Sequence, residues 1–429
     1  MRHFHFAILA VTLFSVGTSV VFADEILDPE AVFDTNAVQA ATANAPSVEV
    51  GYDNQKSVSF SGQLNATGGL LLNRDWMSGK TSVDSNKTLQ YTEGDFFLDL
   101  RYPNGLKAFL DVALLHSSSA VSTANPYDTT LTVKELFVDY HVDRKVYVRS
   151  GKQFVTWGRS YFWNPVDFVN RNKKNFLDLS AIRSGIVGTR IDIPLGTDQN
   201  LYFFLDQDGV STPKNFALVS KADLTWEDVA IGLSIWTKYH AVTQYGLDWS
   251  TRLWDWNVSQ EVALSQGSNT PRMIETNGDL AIGSAPNTWQ ARTTLSLMRQ
   301  FNWERTNRIS NTLEIFYNGD GYTANVLENA DKSAFLQANR LITANQLSTW
   351  YAAYFVIISE FPTHDQSLAV NGIINGIDGS SVISTQLTHN FSSDFSISAL
   401  VAMINGSKTT EYGLSGDGLR VQAQTQLKF

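Results

Sequence analysis

The C-terminal stretch LRVQAQTQLKF, residues 419–429, alternates strictly between apolar and polar side chains. One face carries Leu419, Val421, Leu427 and Phe429, whereas arginine, glutamine and lysine occupy the positions between them. A period of two predicts a β-strand with one apolar and one polar surface. A soluble sandwich would show the same alternation with its faces reversed, so this strand alone leaves the fold class open.

Similar segments recur along the chain and predict an all-β fold of eighteen strands, with sixteen as the alternative. An even number of strands is what bacterial transmembrane barrels need. With Phe429 at one rim, the short connections fall on that rim, and the long connections 157–183, 265–288 and 319–346 fall on the other. This asymmetry predicts an antiparallel up-and-down barrel whose long loops face outward. The predicted strands are 56–74, 87–102, 105–117, 129–143, 145–156, 184–194, 199–206, 214–224, 226–237, 242–251, 254–264, 289–301, 307–318, 347–360, 365–376, 379–390, 394–405 and 417–429.

The charged positions of the strands define the face that must point inward. Arginine or lysine on the lipid face near mid-bilayer would cost about 2–4 kcal/mol, and a barrel this wide leaves an aqueous lumen unless something plugs it. Acids on one side and bases on the other would set up a field across the pore that favours polar solutes. The alternative is that these charges pair with each other or merely solvate the channel. The lumen-wall candidates are Asp95, Asp99, Asp111, Glu135, Asp139, Arg149, Arg183 and Arg190.

The N-terminal part of the chain predicts export. Residues 1–23 carry one cation, an apolar stretch and small residues before Asp24, which is typical of a signal peptide rather than a membrane anchor. Residues 24–55 contain seven acidic and no basic residues. We interpret them as a flexible periplasmic tail or, alternatively, as a short helix in the periplasmic mouth. Residues 56–429 would form the barrel.

Composition narrows the range of functions. The formal net charge of −10 argues against a nucleic-acid partner, which needs a basic face. The chain has no cysteine, which excludes disulfides and thiolate metal sites, and we expect neither a metal nor a cofactor. The aromatic content of 12%, without a long apolar run after the signal, favours a barrel in a bacterial outer membrane.

The connection 157–183 is long but rich in aromatic residues, which a fully solvated loop would not retain. We therefore expect it to fold inward and to narrow the pore, with the alternative that it packs over the outer rim. Its basic residues would make the constriction cationic. The candidate constriction residues are Arg159, Asn164, Asp167, Arg171, Lys173 and Lys174. In the connection 319–346, residues 324–341 are predicted to be helical.

The stretch RSGKQFVTWGRSYFWNPVD resembles a motif of a family of Gram-negative outer-membrane channel-like barrels. The matching residues are Arg149, Gly151, Gln153, Trp157, Gly158, Asn164, Pro165 and Asp167. A second stretch, EIFYNGDGY from Glu314 to Tyr322, is similar to a turn of polysaccharide-export-type porins. The terminal Phe429 resembles the aromatic signal that the barrel assembly machinery reads. These resemblances imply a channel in the outer membrane and leave its substrate open.

The leading hypothesis is a porin that passes small polar or anionic solutes through a charged lumen. An outer-membrane component of a lipid, hydrophobic-compound or polysaccharide export system is the alternative, with residues 24–55 as the contact for a periplasmic partner. A barrel enzyme is disfavoured, because Asp139 and His141 share a strand face without a recognisable nucleophile beside them. The expected partners are outer-membrane lipid, the assembly machinery and the solutes themselves.

Overall fold

The computed structural model describes residues 56–117, 128–170, 174–177, 179, 182–285, 287–303 and 307–429. The predicted signal peptide and the acidic segment 24–55 lie outside the described residues. Eighteen antiparallel strands form one closed sheet, and two further strands form a separate hairpin. The barrel strands are Ser57–Asn73 (β1), Lys87–Arg101 (β2), Lys107–Ser117 (β3), Asp128–Val142 (β4), Val146–Gln153 (β5), Ile186–Pro194 (β6), Gln199–Asp206 (β7), Ala217–Trp226 (β8), Val229–Lys238 (β9), Gln244–Leu253 (β10), Trp256–Gln266 (β11), Trp289–Asn302 (β14), Arg308–Asn318 (β15), Trp350–Ser359 (β16), Gln366–Asn375 (β17), Ser381–Asn390 (β18), Phe395–Asn405 (β19) and Asp417–Lys428 (β20).

The predicted eighteen-stranded barrel is confirmed, and the bounds of its strands differ from the predicted ones by three residues at most. Each strand pairs with its sequence neighbour, and β1 also pairs with β20 from Gln63–Lys428 to Leu72–Leu419, which closes the sheet. The backbone N–H of Phe429 donates to the carbonyl of Gly62 (3.0 Å). A side chain at Gly62 would lie 2.6 Å from the Phe429 ring, so glycine is required where this ring packs.

Alternate residues of the strands sort into an apolar outer face and a polar inner face. Outward-facing side chains such as Leu131, Leu233 and Met403 are 72%, 58% and 62% exposed, although they are large and apolar. Inward-facing polar side chains such as Asn65 and Asp248 are buried. This inversion of the usual pattern is what a barrel with lipid outside and polar groups inside requires.

The two rims differ in the length of their connections. On the rim that holds Phe429, here called the C-terminal rim, connections such as 102–106, 143–145 and 360–365 are short. The opposite rim, here called the loop rim, carries the connections 154–185, 267–288 and 319–349. The parity of the predicted strands gave the same asymmetry.

The loop rim carries the short elements of the fold. These are the helices Arg74–Met77 (α1) and Ala330–Ala338 (α2), the hairpin strands Arg272–Thr276 (β12) and Asp279–Gly283 (β13), and 3-10 turns at Val83–Ser85, Pro213–Asn215 and Val326–Glu328. No helix in the described part of the chain is long and apolar enough to cross a membrane. Within the predicted helix 324–341 only α2 is α-helical, because the side chain of Asn329 caps its first turn by accepting from the N–H of Lys332.

Candidate functional site

Residues 154–170, here called the constriction segment, leave β5 and cross the interior of the barrel. Near its start, Trp157 packs with Phe204 of β7 and Val219 of β8. Further along, Phe162 and Trp163 pack with Phe316, Tyr351 and Phe355 of β15 and β16. A segment that packs on the inner wall at β7 and β8 and again at β15 and β16 lies within the lumen, so the predicted inward fold is confirmed for these residues.

Glu261 of β11 holds the first half of the constriction segment. Its carboxylate accepts from the backbone N–H groups of Arg159 (2.6 Å), Ser160 (2.7 Å) and Val166 (3.3 Å), and from the side-chain amide of Asn164 (3.0 Å). The carboxylate is fully buried. Charge-assisted hydrogen bonds of this kind are roughly twice as strong as neutral ones, so a single wall residue fixes the curled backbone.

Glu314 of β15 holds the following residues in the same way. It accepts from the N–H groups of Tyr161, Phe162 (2.9 Å) and Trp163 (3.1 Å), and its side chain is also fully buried. Since β11 and β15 are separated by β14, the two glutamates anchor successive turns of the segment at neighbouring places on the wall. The backbone of residues 159–166 is thereby bound to the barrel rather than to solvent.

Arg159 lies in an ion-pair network and not as an isolated cation. Its Nε donates to Asp248 Oδ1 (2.6 Å), and its Nη2 lies 3.3 Å from Asp223 Oδ1. Lys221 Nζ lies 3.1 Å from Asp223 and 3.4 Å from Asp248. Two acids of the wall therefore balance two bases, and the constriction carries charges of both signs here.

The other predicted constriction residues have different surroundings. Asn164 donates to the carbonyl of Ser160 (2.8 Å) as well as to Glu261, and Asp167 accepts from the N–H of Asn170 (3.2 Å). Lys174 donates to the carbonyl of Tyr161. Arg171 and Lys173 lie outside the described residues.

A cavity of about 210 Å³ lies between the constriction segment and the inner side of the loop rim. Lys174 and Arg292 supply cations to its lining, and Asp167 supplies a carboxylate. Arg292 donates to Gln244 Oε1 (2.8 Å). The rest of the wall consists of aromatic rings, residues with side-chain amides, a proline and an alanine: Phe162, Trp163, Phe168, Phe316, Asn164, Asn170, Gln244, Asn345, Gln346, Pro165 and Ala344.

Residues of two outer loops and of the adjoining ends of β16 and β17 tie the loop rim to the constriction segment. Glu411 accepts from the N–H of Asn345 (2.6 Å), the Tyr351 hydroxyl (2.7 Å) and the Asn375 amide (2.7 Å). The carbonyl of Asn345 in turn accepts from the indole N–H of Trp163 (3.3 Å). Burial raises the pKa of Glu411 to about 7, an effect that the hydrogen bond from Tyr351 reduces in part.

The predicted lumen-wall acids point inward and bind near neighbours. Asp95 lies 2.6 Å from Lys134 Nζ, and Asp99 lies 3.5 Å from Lys107 Nζ. Glu135 accepts from the N–H of Phe154 (2.6 Å), where the constriction segment begins. Asp111 is 1% exposed beside them.

The predicted lumen-wall bases are also engaged. Arg149 makes a bidentate pair with Asp139 (2.7 and 2.9 Å), and Arg190 lies 2.7 Å from Asp192. The guanidinium of Arg183 lies 4.3 Å from the centroid of the Phe154 ring. Asp95, Asp99 and Asp139 therefore pair with neighbouring bases, which was the alternative to an electric field across the pore.

The motif residues shape the entry of the constriction segment. Gly158 has a φ of +107°, and a side chain there would lie 2.6 Å from Glu261 Oε1, so glycine lets the backbone approach this carboxylate. At Gly151, with φ +131°, a side chain would lie 2.2 Å from the carbonyl oxygen of Leu136. Gln153 donates to the carbonyl of Gly188 (3.1 Å), and Pro165 lines the cavity.

Sequence reasoning missed Glu261, Glu314 and Asp248, which position the site. Each is an inward residue in the middle of a strand, where an acid looks like any other polar lumen residue. The sequence feature that could have identified them is a single carboxylate whose inward neighbours on the strand are small or apolar, as Ser259 and Ala263 are beside Glu261.

Comparisons with known proteins identify the fold. No family model matches the chain, and no curated protein matches its sequence. Among solved structures, Pseudomonas aeruginosa OccK2 in complex with glucuronate is similar with a TM-score of 0.51 at 10% identity, covering 87% of this chain and 98% of that one. Acinetobacter baumannii OccAB1 gives 0.53 at 10% identity, with coverages of 87% and 96%. A BenF-like porin from Pseudomonas fluorescens Pf-5 gives 0.53 at 10% identity, with coverages of 88% and 100%. The chain therefore has the fold of these outer-membrane barrels.

Proposed function

We propose that this chain is a Gram-negative outer-membrane porin that passes small polar or anionic solutes. The observation that carries the proposal is the constriction segment, which Glu261 and Glu314 hold across the lumen through six backbone N–H groups. A segment fixed in this way would narrow a water-filled passage. The likeness in fold to porins, one of them in complex with glucuronate, supports the same function.

The membrane placement belongs to this proposal. The exposed apolar face of the barrel would contact outer-membrane lipid, and residues 1–23 would direct export. Phe429, whose ring packs 6.0 Å from Phe60 at the end of the sheet, would be the residue that the assembly machinery reads. The motif around Trp157 and Pro165 supports a relation to channel-like barrels of this kind.

The charges around the passage support polar or anionic solutes. Lys174 and Arg292 line the cavity above the constriction, and Arg159 lies in the constriction segment itself. Each can donate hydrogen bonds to a passing oxyanion or hydroxyl group. The paired acids keep the passage from becoming a purely cationic trap, from which an anion would leave slowly.

Conductance in planar lipid bilayers tests the proposal. We expect the purified, folded protein to conduct, and a folded protein without conductance at any voltage would refute the function. Arg159→Ala should shift the ion selectivity toward cations, because Asp248 and Asp223 would lose a balancing charge. Lys214→Ala is the matched control, since Lys214 lies over the Tyr239 ring in the outer loops, away from the segment. Equal ion selectivity of wild type and Arg159→Ala would mean that Arg159 does not contribute to the constriction.

A further inference from the structure

Three phenylalanines form a row on the inner wall of the barrel, here called the phenylalanine row. Phe97 of β2, Phe109 of β3 and Phe137 of β4 occupy inward positions, alternating with the acids of the same strands. The ring centroids of Phe97 and Phe109 are 6.4 Å apart and nearly parallel, and those of Phe109 and Phe137 are 5.3 Å apart. Phe137 is buried, so Phe97 and Phe109 supply the partly exposed apolar surface of this row.

The constriction segment does not account for this row. The apolar clusters that pack against the segment involve strands β6 to β9 and β15 to β19, and they contain none of the three phenylalanines. Phe97 and Phe109 remain partly exposed, although each stands on a face otherwise occupied by charged residues. Aromatic surface facing water is unfavourable by about 25 cal/mol per Å², so a lumen-facing aromatic row calls for something that covers it.

Charges of both signs border the row. Lys107 Nζ lies 5.3 Å from the centroid of Phe109, and the Arg149 guanidinium lies 3.9 Å from that of Phe137. Asp99 pairs with Lys107 (3.5 Å), and Asp139 pairs with Arg149 (2.7 Å). Both cations lie over ring faces, Lys107 over Phe109 and Arg149 over the buried Phe137, and each is paired with a carboxylate. Groups that can donate to a hydroxyl and groups that can accept from it therefore adjoin the row.

A pyranose ring matches this combination. Its C–H faces are apolar and flat enough to lie on an aromatic ring, while its hydroxyl groups point outward along the edge and both donate and accept. An open-chain polyol has the same hydroxyl groups but no such face, and a simple carboxylate needs only a cation. We propose that the phenylalanine row is a binding track for the pyranose rings of solutes that pass through the lumen. This inference rests on the proposed porin function and names a substrate class for it.

Four solutes separate ring recognition from charge recognition: glucose and glucuronate as rings, and sorbitol and gluconate as their open-chain counterparts. Each is added to single channels in planar bilayers, and block of the potassium chloride current gives an apparent affinity. We expect both rings to bind more tightly than the open-chain solute of the same charge. Affinity that follows the charge and ignores the ring would overturn the proposal.

The variant Phe97→Leu/Phe109→Leu keeps apolar bulk in the wall but removes the flat faces. We expect it to weaken binding of both rings about tenfold, the effect of losing about 1.4 kcal/mol of stacking, while the open-chain solutes bind as before. The matched control is Phe301→Leu, since Phe301 lies on the outer face and is 43% exposed. Wild-type affinity for rings in the double variant would refute the track. Loss of all conductance in the wild type would instead refute the porin function, so the two failures are distinguishable.

Discussion

Replacement of Glu261 by glutamine should release the constriction segment from the wall. The carboxylate accepts from four donors, three of them backbone N–H groups of residues that follow Gly158 in the chain. Glutamine keeps the size of the side chain but offers one acceptor oxygen. Its NH₂ group would face an N–H donor, since the two carboxylate oxygens serve donors on both sides. The barrel wall itself stays unchanged.

The magnitude follows from these contacts. Bonds to a charged acceptor contribute about 1.5–3 kcal/mol each and bonds to a neutral one about 0.5–1.5 kcal/mol, and a buried donor without a partner costs about 1–3 kcal/mol. The easier burial of a neutral amide offsets part of this loss. The docked position of the segment should lose about 2–4 kcal/mol, which changes its docking equilibrium about thirtyfold to a thousandfold.

Single-channel recording in planar bilayers measures this release. We expect Glu261→Gln to fluctuate between the wild-type current and a larger current, because an undocked segment leaves a wider passage. Asp255→Asn is the control with the same chemical change, since Asp255 lies at the C-terminal rim and is 66% exposed. Steady wild-type current in Glu261→Gln would mean that the carboxylate does not hold the segment, and the reasoning would fail.

Three further predictions concern the outer loops, the outer face and the end of the chain. The raised pKa of Glu411 favours its neutral form in the folded protein, so its stabilising contribution is complete below pH about 4.5 and is lost as the pH rises through about 7. The thermal unfolding midpoint should therefore decrease as the pH is raised from 5 to 8, and it should decrease less in Glu411→Gln. Equal pH dependence of the midpoint in wild type and variant would contradict this. Leu136→Arg, at an outward position that is 53% exposed, should lower the free energy of unfolding in bilayers by about 2–4 kcal/mol, whereas a loss well below about 1 kcal/mol would mean that this face does not meet hydrocarbon. Phe429→Ala should reduce the yield of folded barrel in cells more than refolding in detergent, and equal yields in cells would exclude an assembly signal.

Much of the barrel could be predicted because alternation is a local property of each strand. The polar and apolar faces of residues 419–429 follow from sequence spacing alone, and the structure gives β20 over Asp417–Lys428. The inward fold of the segment after β5 was predictable from its aromatic content, since Trp157, Phe162 and Trp163 need a partner surface. The hairpin of β12 and β13 was missed, although Asn277 and Gly278, with φ of +54° and +91°, form the asparagine–glycine turn that short hairpins favour.

The partners within the lumen could not be predicted, because they depend on which strands face each other across the interior. The sequence predicts that Arg159 helps to make the constriction cationic, but Asp223 and Asp248, far along the chain, pair with it. Because both acids lie far from Arg159 along the chain, no local sequence pattern predicts these ion pairs. The same holds for Glu314: the sequence places it at the start of a turn-like stretch, whereas in the structure it binds the backbone N–H groups of Tyr161 to Trp163.

Because β1 pairs with β20, closure of the barrel depends on the first and the last strand of the chain. Until β1 and β20 pair, they are edge strands with unpaired backbone N–H and C=O groups, and each can pair with a strand of another molecule. A variant truncated before β20 would form an open sheet with exposed edge strands and not a smaller pore. Truncation from that end should therefore cause aggregation instead of a graded decline in transport.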